Sequence, residues 1–497
     1  MRAYKELEAR KKRTSALNNA MGILQWDQET MMPDGAAPAR AKVMAELSVM
    51  IHELGTADAL PDLIDEAEAE TDQLDAWQRA NLREIRHAFG HATAMPADLV
   101  EKMVLAASES TMIWREARAA NDFKRLAPKL DVLFQLKREE ASIKSEIMGV
   151  TPYEAMLDQF DPGRRESQVD LIFNDLENFL PDFLQQVMDK QATEPQAIMP
   201  SGPFPIGRQE ELGLEVMKIL GFPFERGRLD TAHHPFSGGA DGDVRITTRY
   251  EEDDYLKSLM AVIHETGHAL YEDGRPEKWQ GQPVGDSRGM TLHESQSLLL
   301  EMQAARSEEF IRYLSPVAQR VLDGKGPAWE ANNILRVYRK VEPGLIRVYA
   351  DEVTYPLHII LRYKLEKAIV SGDLQTQDLP GAWNDSMEAL LGLRPTDDTD
   401  GVMQDVHWPE GLFGYFPTYS LGAMAAAQIF AAANRDNANI LPGLATGDFS
   451  PLFGWLDQHI RSKGCLYMPD ELIEHATGSS LATESYKASI TARYLVV

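Results

Sequence analysis

Apolar positions recur along most of this chain at the three- and four-residue spacing of helices resting on a core. Val43, Met44, Leu47, Met50, Ile51 and Leu54 form one such stripe. The same pattern predicts helices over 73–90, 97–119, 124–147, 166–190 and 207–220, with Pro96 suited to a first helical turn. The polar run 56–71 reads as a loop or a short acidic helix, and Pro33-Asp34-Gly35 as a turn. Strand character is confined to the middle. Over 243–250, Val244, Ile246, Thr248 and Tyr250 alternate with Arg245, Thr247 and Arg249, and Gly238, Gly239 and Gly242 read as the loop before them. Beyond Glu301 the pattern is helical again. Its most apolar run, 421–433, is too short to span a bilayer and contains Gln428, so it reads as a core helix. The expected fold is mainly α with a little sheet. No linker marks a boundary, so one domain over 1–497 is expected, with lobes at 1–200 and 201–497.

The strand enters a helix predicted over 255–272, with Asp253 or Asp254 to cap its start and Gly274 where it stops. Leu256, Leu259, Met260, Val262, Ile263 and Leu270 make it apolar nearly all round, hence buried. It carries His264-Glu265-Thr266-Gly267-His268. The two histidines are four residues apart, so both imidazoles leave one face, a spacing that suits two ligands of one tetrahedral zinc ion. Glu265 lies close enough to act on water that the ion activates. Two histidines facing a buried interior without a partner would be costly. In zinc peptidases of thermolysin-like architecture, an edge strand beside the metal helix holds an extended peptide by main-chain bonds, and 243–250 is expected to serve here.

Composition narrows the partners. A formal charge of −27 argues against a nucleic-acid surface, and any carboxylate the protein binds must meet a local cation. Cys465 is the only cysteine, so thiolates cannot build the metal site and no intrachain disulfide forms, in keeping with a reducing, cytoplasmic setting. Neither a signal-peptide run over 1–13 nor a membrane span is legible.

A catalytic site needs a third protein ligand. Glu294, 26 residues after His268, is the leading choice. It is read at the start of a helix running to about Leu314. Thr291-x-x-Glu294 is also a capping box, in which Glu294 would bond a backbone N–H instead. His293 is a rival ligand that would face elsewhere.

An ordered set of motifs then resembles the carboxypeptidase Taq family of metallopeptidases. These are Trp26-Asp27-Gln28-Glu29-Thr30, His234-Pro235-Phe236, Asp243-x-Arg245-x-Thr247, His264-Glu265-x-x-His268 and His293-Glu294-Ser295. Later come Ile346-Arg347-x-x-Ala350-Asp351 and Gly401-x-x-Gln404-Asp405-x-His407-Trp408. The resemblance implies Glu294 as the third ligand, a helical fold with a deep groove, a homodimer, and removal of single C-terminal residues from peptides with broad specificity except proline.

Amide hydrolysis then distributes the remaining roles. Glu265 serves first as base and then as acid. His407, Tyr415 and Tyr419 are candidate donors to the tetrahedral oxyanion and resemble the late His-then-Tyr pair of zinc dipeptidyl carboxypeptidases. The resemblance makes Arg347, which sits in the family's Ile-Arg-x-x-Ala-Asp motif, the leading partner for a C-terminal carboxylate, with an ion pair to Asp351 on the same helix as its structural alternative. Arg245 is a second candidate, unless it pairs with Asp243 or Asp241, and His234 could line the groove. Position 298, where some zinc peptidases place an acid that orients a histidine, is leucine, so that acid must come from elsewhere. One zinc ion per subunit is expected, although two histidines and a glutamate also suit cobalt or manganese. An oligopeptidase that cuts internal bonds or releases dipeptides is the alternative enzyme. An inactive helical peptide-binding protein with a structural metal is the alternative outside enzymes.

Overall fold

Helix starts follow local capping chemistry. Among the N-terminal helices α1 (Arg2–Thr30), α2 (Ala37–Gly55), α3 (Leu60–Ala69) and α4 (Ala76–Thr93), the last opens on a reciprocal cap. There Asp75 accepts from the Gln78 N–H while the Gln78 side chain accepts from the Asp75 N–H. Next come α5 (Ala97–Ala120), α6 (Phe123–Met148), α7 (Pro152–Leu157), α8 (Glu166–Thr193) and α9 (Ile206–Ile219), close to the bounds that periodicity predicts. The strands β1 (Gly227–Thr231), β2 (Ser237–Ala240) and β3 (Asp243–Thr248) lead into α10 (Tyr255–Asp273) and α11 (Gly289–Leu298). The remainder is α12 (Glu308–Val321), α13 (Ala331–Tyr338), α14 (Tyr355–Ser371), α15 (Leu379–Leu391), α16 (Pro417–Asp436), α17 (Ile440–Leu444), α18 (Ser450–His459), α19 (Pro469–Thr477) and α20 (Glu484–Tyr494). This computed structural model describes residues 1–496, and the fold is mainly α with one small sheet. Among the described residues, no helix is long and apolar enough to cross a membrane.

The 56–71 run holds a short acidic helix, one of its two expected forms, because Leu60, Ile64 and Ala67 give it a buried face. Three expectations change. The apolar stripe of α2 is only half-buried, and Val43 and Met50 stand 51% and 36% exposed, because neighbours cover one side of that helix alone. The glycines before β3 are not all loop, since Gly238 and Gly239 lie within β2. The helix expected to run to Leu314 breaks: α11 passes into a π-helical stretch, Leu299–Ala305, and α12 starts afresh with Ser307 capping the Phe310 N–H.

The sheet order is β1-β3-β2, with β1 parallel and β2 antiparallel to β3. β3 is therefore central, and both of its edges are already paired. The expected peptide-holding edge strand cannot be 243–250. Val244 and Ile246 point into a small core with Met217 of α9 and Val262 of α10, which seats the sheet against the metal-motif helix.

The larger cores divide the helices differently from their chain order. Helices α5–α8 share a core with α14–α16 and α20, whereas α10, α11 and α12 pack with α16–α19. Helix α16 enters both, and Leu421, Ala425 and Ile429 are fully buried, in line with a core helix over 421–433. Helices α1, α3 and α4 keep a separate, smaller core.

Candidate active site

Asp254 accepts from the backbone N–H groups of Leu256 and Lys257 and so fixes the start of α10. His264 and His268 follow on one face, their ring centroids 5.0 Å apart. The residue between them that matters for packing is Gly267. A β-carbon there would come within 2.6 Å of the Gln296 carbonyl oxygen and the Ser297 Cα, so only glycine lets α11 lie this close. Gly422 of α16 does the same on the far side, where a β-carbon would stand 2.9 Å from Cβ and Cγ of Glu294. Three helices thus squeeze Glu294 toward the histidines. Its carboxylate oxygens lie 3.9 Å from His264 Nε2 and 3.5 Å from His268 Nε2. One ligand atom from each of the three residues falls within 4.8 Å of the others.

Glu294 does not cap its helix. Helix α11 begins at Gly289, and the Thr291 hydroxyl donates to Asp161 at 2.8 Å instead. His293 turns away, stacking on His268 at 4.5 Å and hydrogen-bonding Glu272 through Nε2 at 2.9 Å.

A divalent cation fits this donor set. The hydrogen bond from His264 Nδ1 to Glu301, 2.9 Å long, puts the ring proton on Nδ1 and leaves the Nε2 lone pair facing the centre. Burial alone would lower His264, but Glu294 and Glu301 outweigh it and lift the imidazole to about 10. Burial chiefly pushes Glu265 up to about 7, and Glu294 adds to it. Three carboxylates therefore crowd a buried point where positive charge is wanted. Bound metal would answer that need and hold both Glu265 and His264 in their unprotonated forms.

A cavity of about 920 Å³ opens on this group, lined by His264, Glu265 and Glu294 together with His234, Arg249 and Tyr355. Arg347, His407, Tyr415 and Tyr419 form a second cluster, joined to the first through Tyr355. Arg347 lies in a single 3₁₀ turn, so Asp351 is not its helical neighbour. Asp351 instead accepts from the N–H groups of Val353 and Thr354. Arg347 gives Nε and Nη2 to Asp405, at 3.1 and 2.8 Å, and Nη1 to the Tyr355 hydroxyl at 3.1 Å. Arg362 holds the second Asp405 oxygen. His407 Nε2 is 3.4 Å from the Tyr419 hydroxyl, and the rings of Tyr415 and Tyr419 meet edge to face at 5.2 Å. Arg245 stands apart from both clusters. Its Nε donates to Asp243 at 2.8 Å and its guanidinium covers Trp26 at 4.6 Å.

Four contributors escaped sequence reasoning: Glu301, Tyr355, Asp405 and Arg249. Glu301 was within reach, because it follows Glu294 by seven residues, two turns along the same face. Asp405 lies inside the Gly401-to-Trp408 motif, whose spacing alone assigns it no role. Nothing local singles out Tyr355 or Arg249.

A donor set of one buried and one half-buried histidine and a half-buried glutamate, with a further carboxylate beside it and a cavity in front, is the equipment of a metal-dependent hydrolase. The chain belongs to the carboxypeptidase Taq (M32) metallopeptidase family, whose profile matches residues 6–494. It is 36% identical to thermostable carboxypeptidase 1 of Thermus thermophilus over 502 residues, covering 99% of this chain and 98% of that protein. It is 34% identical to carboxypeptidase 1 of Bacillus subtilis over 478 residues, covering 95% and 93%. Among solved structures, metallocarboxypeptidase 1 of Trypanosoma cruzi superposes with a TM-score of 0.98 at 39% identity, with all of both chains covered. The protein is accordingly a metallocarboxypeptidase, a peptide hydrolase that depends on a divalent metal.

Proposed function

We propose that this chain removes single residues from the free C-termini of peptides, with one zinc ion held by His264, His268 and Glu294. The observation that carries the reading is the convergence of those three side chains, under two close-packing glycines, beside the buried Glu265. Zinc bound there would supply Lewis acidity, polarising the scissile carbonyl and acidifying water.

The chain's own residues do the rest. Glu265, ionised beside a cation, takes the proton of the attacking water on a carboxylate oxygen. As the C–N bond breaks, it returns that proton to the departing amide nitrogen. The developing oxyanion needs donors, and the hydroxyls of Tyr415 and Tyr419 with the His407 imidazole are read in that role. Burial lowers His407 to about 4, so its ring is neutral near pH 7 and keeps one N–H to donate.

Arg347 is read as the cation that meets the substrate's C-terminal carboxylate, through the side it shares with Tyr355. Asp405 occupies its other edge and fixes its orientation. With Arg245 committed to Asp243 and Trp26, Arg347 is the better choice of the two. His234 lines the cavity in front of the metal ligands and is read as a groove contact. The family resemblance supports exclusion of C-terminal proline and a homodimer. A single, buried cysteine accords with a cytoplasmic setting.

The deciding experiment follows one peptide by mass spectrometry, with its C-terminus free or amidated, after incubation with wild type and Glu265→Gln. Stepwise loss of C-terminal residues from the free form alone is expected, with the zinc-loaded variant inactive and a peptide ending in proline spared. Equal cleavage of the amidated peptide would move the assignment to an oligopeptidase that cuts internal bonds.

A further inference from the structure

A second set of ligand-type side chains lies outside the active site. Helix α4 carries His87 and His91, four residues apart and on one face. Their Nε2 atoms both reach one oxygen of Asp158, at 2.5 and 2.8 Å, with the rings edge to face at 4.7 Å. Asp158 directly follows α7. Its other oxygen accepts the Gly163 N–H at 2.7 Å, which aims the first at the imidazoles. Asp158 is buried and the histidines are half-buried, so the group is walled on the protein side and open to solvent on the other. One ligand atom from each residue lies within 4.8 Å of the others, a property shared among the described residues only with the active-site group.

We propose that His87, His91 and Asp158 form a second divalent-cation site, of the zinc and cobalt class, separate from the catalytic centre. Two imidazole nitrogens and one carboxylate oxygen, with a fourth position open to water, suit a borderline transition metal. Magnesium and calcium seek oxygen shells and are poorly served here. Entry of the ion replaces the two N–H···O bonds. Each neutral ring then carries its proton on Nδ1, and a protonated ring releases one proton. The nitrogen–oxygen separations open to roughly 3.3 Å, the edge of a tetrahedron with bonds of about 2.0 Å. That is a movement of about 0.8 Å for His87 and about 0.5 Å for His91.

The position gives the site a consequence. Helix α4 belongs with the N-terminal helices, whereas the segment after Asp158 passes the catalytic helices. Within that segment, the Phe160 carbonyl accepts the Met290 N–H at 2.7 Å at the start of α11, and the Phe160 ring meets Tyr415 edge-on at 5.0 Å. A bound ion would tie these two parts of the chain together. Its affinity for the folded state alone would raise thermal stability as free metal increases.

The test uses untagged full-length protein, stripped with chelator and dialysed against cobalt(II), with metal per chain counted by mass spectrometry. Wild type is expected to bind two ions. His87→Gln with His91→Gln is expected to bind one and keep peptide hydrolysis. The reciprocal variant, His264→Ala with His268→Ala, is expected to bind one and lose hydrolysis. This reciprocal variant decides the matter even if the first variant folds poorly. Wild type saturating at one ion, or the reciprocal variant binding none, would overturn the second site and leave the catalytic assignment standing.

Discussion

His264 Nδ1 donates to Glu301 across 2.9 Å, while Arg306 grips the other oxygen of the same carboxylate at 2.7 Å. Burial would raise Glu301, but Arg306 and His264 outweigh it and keep the group ionised, able only to accept. This bond sets the tautomer and aim of His264. Glu301→Gln should therefore weaken zinc binding by about 10–100-fold. Hydrolysis at saturating zinc should be largely retained. Competition against a chromophoric chelator reads the affinity directly, and an unchanged constant would remove Glu301 from the metal centre's support.

Gly267 and the α11 backbone are in contact with no room for a methyl group. The clash falls on main chain, which cannot rotate aside. Gly267→Ala should cost about 1–3 kcal/mol of stability, the usual range for overpacking, although alanine favours helix more than glycine does. It should also weaken metal binding, because α11 carries Glu294. Urea unfolding and a zinc titration on the same preparation test both parts. A variant as stable as wild type with full zinc affinity would show that the two helices can slide apart.

How much of this was legible depended on the range of each interaction. His264, Glu265 and His268 share one helix, and their relation is fixed by helical geometry that any reader of the chain can apply. Glu294 could not be separated from a cap by spacing, because the choice turns on Thr291 finding Asp161, 130 positions away. The pairing of Arg347 with Asp351 was misleading for a different reason. Their spacing suits a helix, but the chain folds there into a single 3₁₀ turn and Asp405 arrives from another segment. The strand β2 gave no signal because Ser-Gly-Gly-Ala lacks β-branched residues and is held by its pairing with β3. That hidden strand is also why β3 looked like an edge.

Asp405 accepts from Arg347 and Arg362, and Arg362 is 0% exposed. Burial would raise its carboxyl, yet Arg362 and Arg347 outweigh burial and hold it well below the usual carboxylate range. A depressed folded-state value means the fold gains stability from this group above the unfolded value, about 3.9. The gain is lost as pH falls from there toward the folded value. Asp405→Asn, which leaves a buried guanidinium without its counter-charge, should cost about 3–5 kcal/mol at pH 7. The gap to wild type should narrow below about pH 4. Urea midpoints from pH 7 to pH 3 measure it, and a gap that widens toward acid would contradict the ion-pair account. If Arg347 meets the substrate carboxylate, KM should rise in the same variant, because the guanidinium loses the partner that orients it.

Tyr415 and Tyr419 share one corner of the site but not one environment. Burial raises both hydroxyls, so each remains a protonated donor at neutral pH. The Tyr419 hydroxyl already has His407 at 3.4 Å, and its ring faces the Arg347 guanidinium at 5.3 Å. Glu294 raises both hydroxyls further, but only Tyr419 is hydrogen-bonded to His407, which leaves the Tyr415 hydroxyl the freer donor. Tyr415→Phe should accordingly show the larger loss, about 10²–10³ in kcat with KM nearly unchanged, as for removal of a donor used only in the transition state. Tyr419→Phe should lose less and act through His407, so the double variant Tyr419→Phe with His407→Ala should fall little below His407→Ala alone. Steady-state kinetics on one free-carboxylate peptide decide between them. A larger loss for Tyr419→Phe would transfer the oxyanion contact to Tyr419 and leave Tyr415 as packing against Phe160.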